Sequence, residues 1–261
     1  MTFAFTRCFF HHDGLRLSYL DSGNDAPLLV ALHAHLMEGR TYEGLARALQ
    51  PAWRVVAPDQ RGHGDSDHAA RYGRDDYLGD LRALLDHLGA PRAVLMGNSL
   101  GGVNAYQFAA RHPQRVRALV VEDIGAVVDS DMRFVGAWRG TFGSRAALAD
   151  RVGPRLLPYV APSFRETAAG WFTAFDPDET LASQAALNGD HWADWLATDC
   201  PALLLRGRTS NVSDATMFEH MAAERPRTLL VTLEAGHVVH QDDPQGTSRA
   251  VAAFLAALPD R

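Results

Sequence analysis

The most constraining feature of this chain of 261 residues is the segment 97–101, Gly-Asn-Ser-Leu-Gly. A short apolar run at residues 93–96 precedes it and a helix-like stretch at 102–112 follows, which predicts a strand, a sharp turn and a helix. Glycines suit both ends of such a turn, because side chains two residues to either side of Ser99 would collide with their surroundings. Ser99 is therefore a candidate nucleophile, the alternative being an ordinary strand-to-helix loop.

The composition narrows the class of protein. A chain of 261 residues with an apolar fraction of 47% can bury the core of one large α/β domain or two small ones. The formal net charge of −6 argues against nucleic acid or an anionic membrane as a partner. The sequence shows neither a signal peptide nor an apolar run long enough to span a bilayer. We therefore expect a cytoplasmic protein that acts on a small molecule, with its oligomeric state left open.

Short apolar runs alternate with helix-like segments along most of the chain. Residues 5–11 and 15–21 flank an Asp-Gly turn and predict a β-hairpin. Fully apolar strands separated by helices indicate a parallel sheet that is covered on both faces. The remaining predicted strands are 28–33, 54–57, 93–96, 118–124, 203–206 and 228–234, and the predicted helices are 41–49, 74–88 and 244–258.

The stretch between residues 125 and 200 breaks this alternation, because it contains no convincing strand. It is rich in aromatic residues, with prolines and glycines between them. We expect a helical insertion over the carboxyl ends of the strands, where open α/β sheets bind ligands. Most of its rings should pack in a core of their own, while Trp138, Trp171 and Trp192 are candidates for substrate contact. Such rings suit a substrate with an apolar or aromatic portion.

A serine nucleophile needs a base. His237 follows the last predicted strand and precedes the final helix, so it could reach back to Ser99. The alternative is a loop histidine that is satisfied by solvent. His240 lies further into the same loop and is the weaker candidate.

Backbone N–H groups would have to hold the oxyanion of such a reaction. We expect Leu100, directly after Ser99, to supply one, and His35, after the strand at 28–33, to supply the second. The His35 side chain would also project into the site, where it could bind substrate or narrow the pocket. A metal site at His33 and His35 is the alternative, but no carboxylate or cysteine joins them at ligand spacing. We expect no metal and no cofactor.

Four segments together resemble the α/β-hydrolase superfamily across nearly the whole chain. They occur in that family's order and spacing: Leu-His-Ala-His at 32–35, Asp-Gln-Arg-Gly-His-Gly-Asp-Ser at 59–66, Gly-Asn-Ser-Leu-Gly-Gly at 97–102 and Gly-His at 236–237.

This resemblance implies an α/β fold, a mostly parallel eight-stranded sheet with helices on both faces and a helical cap inserted after strand six. The core domain would comprise residues 1–124 and 200–261, and the cap residues 125–199. By the same resemblance Ser99 is the nucleophile and His237 the general base and then acid. Leu100 and His35 supply the oxyanion amides, and the loop at 61–66 is mainly structural.

The sequence departs from the family pattern in two places. Ala34 stands where glycine is usual, and its Cβ resists positive φ, so we expect a differently shaped oxyanion loop. The family acid usually follows the seventh strand, where this chain has Asn211. An amide cannot stabilise an imidazolium by its charge and can hold the wrong tautomer.

Three hypotheses for the acid stay open. Asp123, at the end of the sixth strand, is the position that some family members use, although many carry an aspartate there without using it. Asp214 could instead reach back, although it suits a helix cap. The third hypothesis is a chain without an acid, as in an inactive, engineered or non-hydrolytic member of the family.

The sequence thus predicts a serine hydrolase that cleaves a small carboxylic ester, thioester or lactone through an acyl-enzyme on Ser99. One alternative is a cofactor-free dioxygenase or a lyase on the same scaffold. In the dioxygenase, the serine–histidine pair would deprotonate the substrate. The other is a non-catalytic ligand-binding protein, which Asn211 favours.

Overall fold

The fold is built on an eight-stranded sheet, which a computed structural model describes within residues 3–212 and 214–259. The strand order is β1-β2-β4-β3-β5-β6-β7-β8, with β2 antiparallel to both neighbours and the other pairs parallel. The mostly parallel sheet is therefore confirmed. Its strands are β1 (Thr6–His12), β2 (Leu15–Asp21), β3 (Leu28–Leu32), β4 (Arg54–Pro58), β5 (Ala93–Asn98), β6 (Val116–Glu122), β7 (Ala202–Gly207) and β8 (Thr228–Leu233).

Helices cover both faces of the sheet, as the wholly apolar central strands require. The helices are α1 (Glu43–Leu49), α2 (Arg74–His87), α3 (Leu100–Arg111), α4 (Arg145–Val152), α5 (Leu157–Val160), α6 (Pro177–Leu187), α7 (Trp192–Leu196), α8 (Ala215–Glu224), α9 (Val239–Asp242) and α10 (Pro244–Ala256). Apolar side chains of α1 and α10 pack in one core cluster, and those of α2, α3 and α8 in the other. Among the described residues, no helix is long and apolar enough to cross a membrane.

Most strand ends agree with the prediction to within one or two residues, and two of those that differ lie at the site. Strand β5 continues through Gly97 and Asn98, because these residues pair with Val121 and Glu122 of β6. Strand β6 ends at Glu122 rather than at residue 124, because Asp123 has a φ of 50° and cannot extend the strand.

The prediction that residues 125–200 contain no strand is wrong. The ribbon Val127–Val128 pairs with Gly189–Asp190, and Phe164–Thr167 pairs with Gly170–Thr173 across a two-residue turn, both antiparallel. The second pair carries aromatic and threonine side chains around a glycine with a φ of 127°, which is a hairpin signal. Each strand has only four residues, too few for an alternating pattern to stand out from a loop in the sequence.

The inserted segment has an apolar cluster of its own between β6 and β7. Val135, Trp138 and Phe175 lie at its centre, and Leu36 from the loop after β3 packs against them. Trp195 of α7 is instead fully buried in the main core. Val128, near the beginning of the insertion, also lies in the main core, so the insertion packs against the sheet at both its beginning and its end. Its status as a separate cap domain stays a prediction.

Candidate active site

The turn between β5 and α3 presents Ser99 in strained backbone. Its φ is 52° and its ψ is −116°, a conformation that costs a non-glycine residue free energy. A Cβ on Gly97 would lie 2.1 Å from the carbonyl carbon of Gly101, and a Cβ on Gly101 would lie 2.0 Å from the carbonyl oxygen of Leu32. Both glycines are therefore required by the close approach of α3 to β3 and β5.

His237 contacts a carboxylate. Its Nδ1 lies 2.8 Å from Oδ2 of Asp123, which is fully buried. The other carboxylate oxygen accepts a hydrogen bond from the Gly207 N–H at 2.9 Å, and the Ser210 hydroxyl donates to Oδ2. These donors offset the cost of burying the carboxylate. With Nδ1 bound to Asp123, Nε2 is the ring nitrogen left for proton transfer.

Asn211, at the position where the family acid is usual, and Asp214, the other candidate for the acid, both lie away from His237. The side-chain oxygen of Asn211 accepts a hydrogen bond from Arg155 of the insertion at 3.2 Å. Asp214 caps α8 by accepting from the Met217 N–H at 2.8 Å. The structure therefore brings Asp123, and neither of the other two residues, into hydrogen-bond contact with His237.

Ser99 and His237 line the same cavity of ≈590 Å³, a volume typical of small-molecule sites. In the described part of the chain, no hydrogen bond joins the Ser99 hydroxyl to His237. Catalytic hydrogen bonds of this kind often tighten only when substrate is bound. Other residues that line the cavity are Ala34, His35, Leu36, Met37, Asp129, Ser130, Asp131, Met132, Phe134, Arg155, Leu156, Tyr159, Val160, Gln184, Asn211, Val212 and Val238.

The predicted oxyanion loop lies at the wall of this cavity. Within residues 3–212 and 214–259, the backbone N–H groups of His35 and Leu100 donate no hydrogen bond, so both are free to bind an oxyanion. The left-handed residue of the loop is Leu36, with a φ of 70°, rather than Ala34. The oxyanion loop therefore contains Ala34 without requiring a positive φ at that residue.

Three buried histidines surround this loop. His35 Nε2 lies 2.8 Å from the hydroxyl oxygen of Ser183, and burial holds the pKa of His35 well below its usual value. Burial also lowers the pKa of His33 to about 4 and that of His63 to about 3. These rings are neutral at pH 7, so His35 offers the cavity an uncharged wall. Among the described residues, no group of three or more His, Cys, Asp or Glu side chains could hold a metal ion.

The three tryptophans predicted to contact substrate are not among the residues that line this cavity. Trp138 and Trp171 pack in the apolar cluster of the insertion, and Trp192 packs against His220 with ring centroids 4.6 Å apart and the ring planes tilted by 51°. Phe134 and Tyr159 are the rings that line the cavity. Ring content alone could not distinguish the two groups, because the choice depends on how the insertion folds over the sheet.

A larger groove of ≈930 Å³ lies at the amino ends of the parallel strands. It is lined by the first residues of several strands, among them Leu28, Arg54, Ala93 and Val116. Ser99, His237 and the oxyanion loop lie at the other ends of these strands. The smaller cavity is therefore the candidate active site.

Comparison with known proteins places the chain in a family. The sequence model described as alpha/beta hydrolase fold matches residues 27–157. The chain belongs to the α/β-hydrolase family. Among curated α/β-hydrolase relatives, 2-(acetamidomethylene)succinate hydrolase of Mesorhizobium japonicum is 28% identical over 88% of each chain. The 3-oxoadipate enol-lactonase 2 of Acinetobacter baylyi is 27% identical over 79% of this chain and 80% of the relative.

The crystal structure of an E-2-(acetamidomethylene)succinate hydrolase has a TM-score of 0.85 to this chain. The match covers 97% of this chain and 100% of that chain at 24% identity, which establishes the shared fold. Because the chain belongs to this family and its relatives are named as hydrolases, the chain is a hydrolase of the α/β-hydrolase fold.

Proposed function

We propose that the chain is a serine hydrolase that cleaves a small carboxylic ester, thioester or lactone through an acyl-enzyme on Ser99. The Asp123–His237 contact beside Ser99, at the wall of one cavity, is the observation that carries the proposal. A carboxylate, an imidazole and a hydroxyl that follow the carboxyl ends of parallel strands in one sheet are the groups that acyl transfer requires.

In the proposed mechanism, Ser99 Oγ attacks the substrate carbonyl while His237 Nε2 takes the hydroxyl proton. The N–H groups of Leu100 and His35 stabilise the oxyanion, and Asp123 stabilises the imidazolium. The tetrahedral intermediate then expels the alcohol or thiol, which receives the proton from His237. A water molecule, deprotonated by His237, attacks the acyl carbon, and the collapse of the second intermediate returns the proton to Ser99.

The proposed substrate class is supported by the walls of the cavity and by the relatives. Met37, Phe134 and Leu156 provide apolar surface for the body of a small substrate, and Arg155 brings a guanidinium to the same cavity. Relatives named for an enol-lactone and for a substituted succinate act on small carboxylic acid derivatives.

The proposal is tested by p-nitrophenyl acetate and butyrate hydrolysis, together with labelling by a fluorophosphonate. We expect the wild type to turn over at least one ester and to label once, and Ser99→Ala to lose both. The loss in kcat should reach about 10³-fold or more, because the nucleophile is removed. Ser248→Ala, at a half-buried position of α10 away from the cavity, should match the wild type, and circular dichroism checks that both variants fold.

Each alternative has its own outcome in this experiment. Turnover that survives in Ser99→Ala would exclude Ser99 as the nucleophile. Labelling of the wild type without ester turnover would favour a dioxygenase or a lyase. A wild type that neither labels nor turns over esters would favour a ligand-binding protein.

A further inference from the structure

A second carboxylate–imidazole contact lies directly beneath the site. Glu122 is fully buried, and its Oε1 and Oε2 lie 2.8 and 3.0 Å from Nδ1 of His240. The backbone N–H of His240 also donates to Oε1 at 2.9 Å. Two donors from one residue thus converge on the same buried carboxylate, which holds the start of α9 against the end of β6.

The far side of the His240 ring is held equally closely. Its Nε2 lies 2.6 Å from Oγ1 of Thr41, and the Gln241 side-chain amide donates to the same oxygen at 2.6 Å. The ring of Tyr42 stacks on the imidazole with centroids 4.4 Å apart. With Nδ1 donating to Glu122, Nε2 accepts from the Thr41 hydroxyl, so these contacts tie the start of α9 to the segment before α1.

Glu122 also connects the segments that carry the nucleophile, the acid and the base. Its carbonyl oxygen accepts hydrogen bonds from the Ser99 N–H and from the Asn98 side-chain amide, both at 3.1 Å. That same amide donates to the carbonyl oxygen of His237 at 2.9 Å. Asp123 is the next residue in the chain. One residue therefore touches, or lies next to, the segments that carry Ser99 and Asp123, and through His240 and Asn98 it is linked to the segment that carries His237.

We propose that Glu122 and His240 form a positioning pair that holds His237 in contact with Asp123 and within reach of Ser99. The proposal rests on the proposed function of the same site. His237 stands on the loop between β8 and α9, and His240 is three residues further along. Anchoring His240 to Glu122 therefore fixes the end of this loop relative to the strand that carries Asp123.

The test compares Glu122→Gln, Asp123→Asn and the double variant in p-nitrophenyl butyrate hydrolysis and in the rate of fluorophosphonate labelling. Glutamine preserves the shape of Glu122 but places an amide nitrogen beside a donor, either Nδ1 or the backbone N–H of His240. We expect kcat and the labelling rate of Glu122→Gln to fall about 10²-fold, because a small misplacement of the reacting groups causes losses of that size. KM should change little.

The double variant separates positioning from general destabilisation. If Glu122 acts through the Asp123–His237 pair, the double variant should be no slower than Asp123→Asn alone, because groups that act as a unit are not additive. Losses that multiply in the double variant, or a Glu122→Gln kcat equal to that of the wild type, would overturn the proposal.

A control variant addresses the loss of a buried charge. Asp21→Asn removes a largely buried carboxylate whose two oxygens accept hydrogen bonds from Arg54 at 3.0 and 2.6 Å. This ion pair lies at the amino end of β4, at the end of the sheet away from the candidate active site. Asp21→Asn should lower thermal stability, as Glu122→Gln does, while kcat stays at the wild-type value. An equal fall of kcat in Asp21→Asn would show that destabilisation alone explains the effect and would overturn the proposal.

Crystal structures of the wild type and Glu122→Gln provide a readout that does not depend on activity. The His237 Nδ1–Asp123 Oδ2 separation is 2.8 Å in the wild type and should exceed hydrogen-bond distance in the variant. An unchanged separation would overturn the positioning role. If the wild type neither labels nor turns over esters, the proposed function fails, and this comparison still decides whether the pair positions His237.

Discussion

Three residues at the candidate active site have left-handed backbone. Leu36, Ser99 and Asp123 have φ values of 70°, 52° and 50°, and each follows the carboxyl end of a strand. Such a conformation costs a non-glycine residue about 1–3 kcal/mol, and the surrounding contacts must hold it in place. Each residue turns the chain sharply, so that the loops converge above the sheet. Positive φ values thus occur at the proposed nucleophile, at the carboxylate that contacts His237 and in the oxyanion loop.

At this scale the role of Asp123 can be tested by exchanging the side chains at the two positions that family members use for the acid, 123 and 211. Asp123→Asn should lower kcat for p-nitrophenyl esters about 10³- to 10⁴-fold, because an amide holds His237 in the wrong tautomer. Asn211→Asp should leave kcat near the wild-type value, because its side chain faces Arg155 rather than His237. Steady-state kinetics of both variants test whether Asp123 is the acid, and unfolding curves check that both variants fold.

A kcat that survives in Asp123→Asn and rises in Asn211→Asp would show that Asp123 is not the acid and that a carboxylate in the loop after β7 can serve instead. It would also imply that this loop rearranges when substrate binds. A small loss in both variants would favour a chain without a functional acid.

At the scale of elements, the turn between β5 and α3 depends on the absence of a side chain at Gly101. In Gly101→Ala the new Cβ would meet the Leu32 carbonyl oxygen at 2.0 Å, so we expect a loss of about 3 kcal/mol in the free energy of unfolding. Gly44, in α1, has open space around a Cβ, with no atom within 4 Å. Gly44→Ala should therefore stabilise the protein by about 0.5–1 kcal/mol.

Urea unfolding of the two alanine variants provides this comparison under one set of conditions. Equal stabilities would show that α3 can shift away from β3 at little cost. In that case the steric requirement for glycine would not explain this turn.

On the scale of the whole molecule, buried histidines couple stability to pH. His33 and His63 are neutral in the folded protein, with pKa values lowered by burial to about 4 and about 3. Unfolded histidines have a pKa of about 6.5, so the unfolded state binds more protons as the pH falls below that value. We expect the free energy of unfolding to fall between about pH 6.5 and pH 4, by about 1.4 kcal/mol per pH unit for each group.

Urea unfolding at pH 7, 6 and 5 measures this slope. His33→Gln should reduce it by the contribution of one proton, because glutamine does not titrate. His11→Gln, on the exposed surface of β1, is the control and should leave the slope at its wild-type value. A wild-type slope that His33→Gln leaves intact would show that other groups take up the protons.

Most of the fold could be predicted from the sequence because apolar runs and turn residues act locally. The strands of the sheet, the turn at Ser99 and the position of His237 all have signals within a few neighbouring residues. The short hairpin at residues 164–173 has a local signal too, but it is only four residues long on each side. The choice among Asp123, Asp214 and no acid had no local signal, because it concerns residues that are far apart in the chain.

The sequence by itself determined a mostly parallel α/β fold with a serine at a glycine-flanked turn, because periodicity and steric demands are properties of consecutive residues. Only the tertiary structure decided that Asp123 contacts His237 and that Asn211 faces the insertion. It also showed that the predicted tryptophans pack away from the cavity and that Glu122 and His240 meet beneath the site. These outcomes depend on which loops converge above the sheet, and that convergence follows from packing between segments widely separated in the chain.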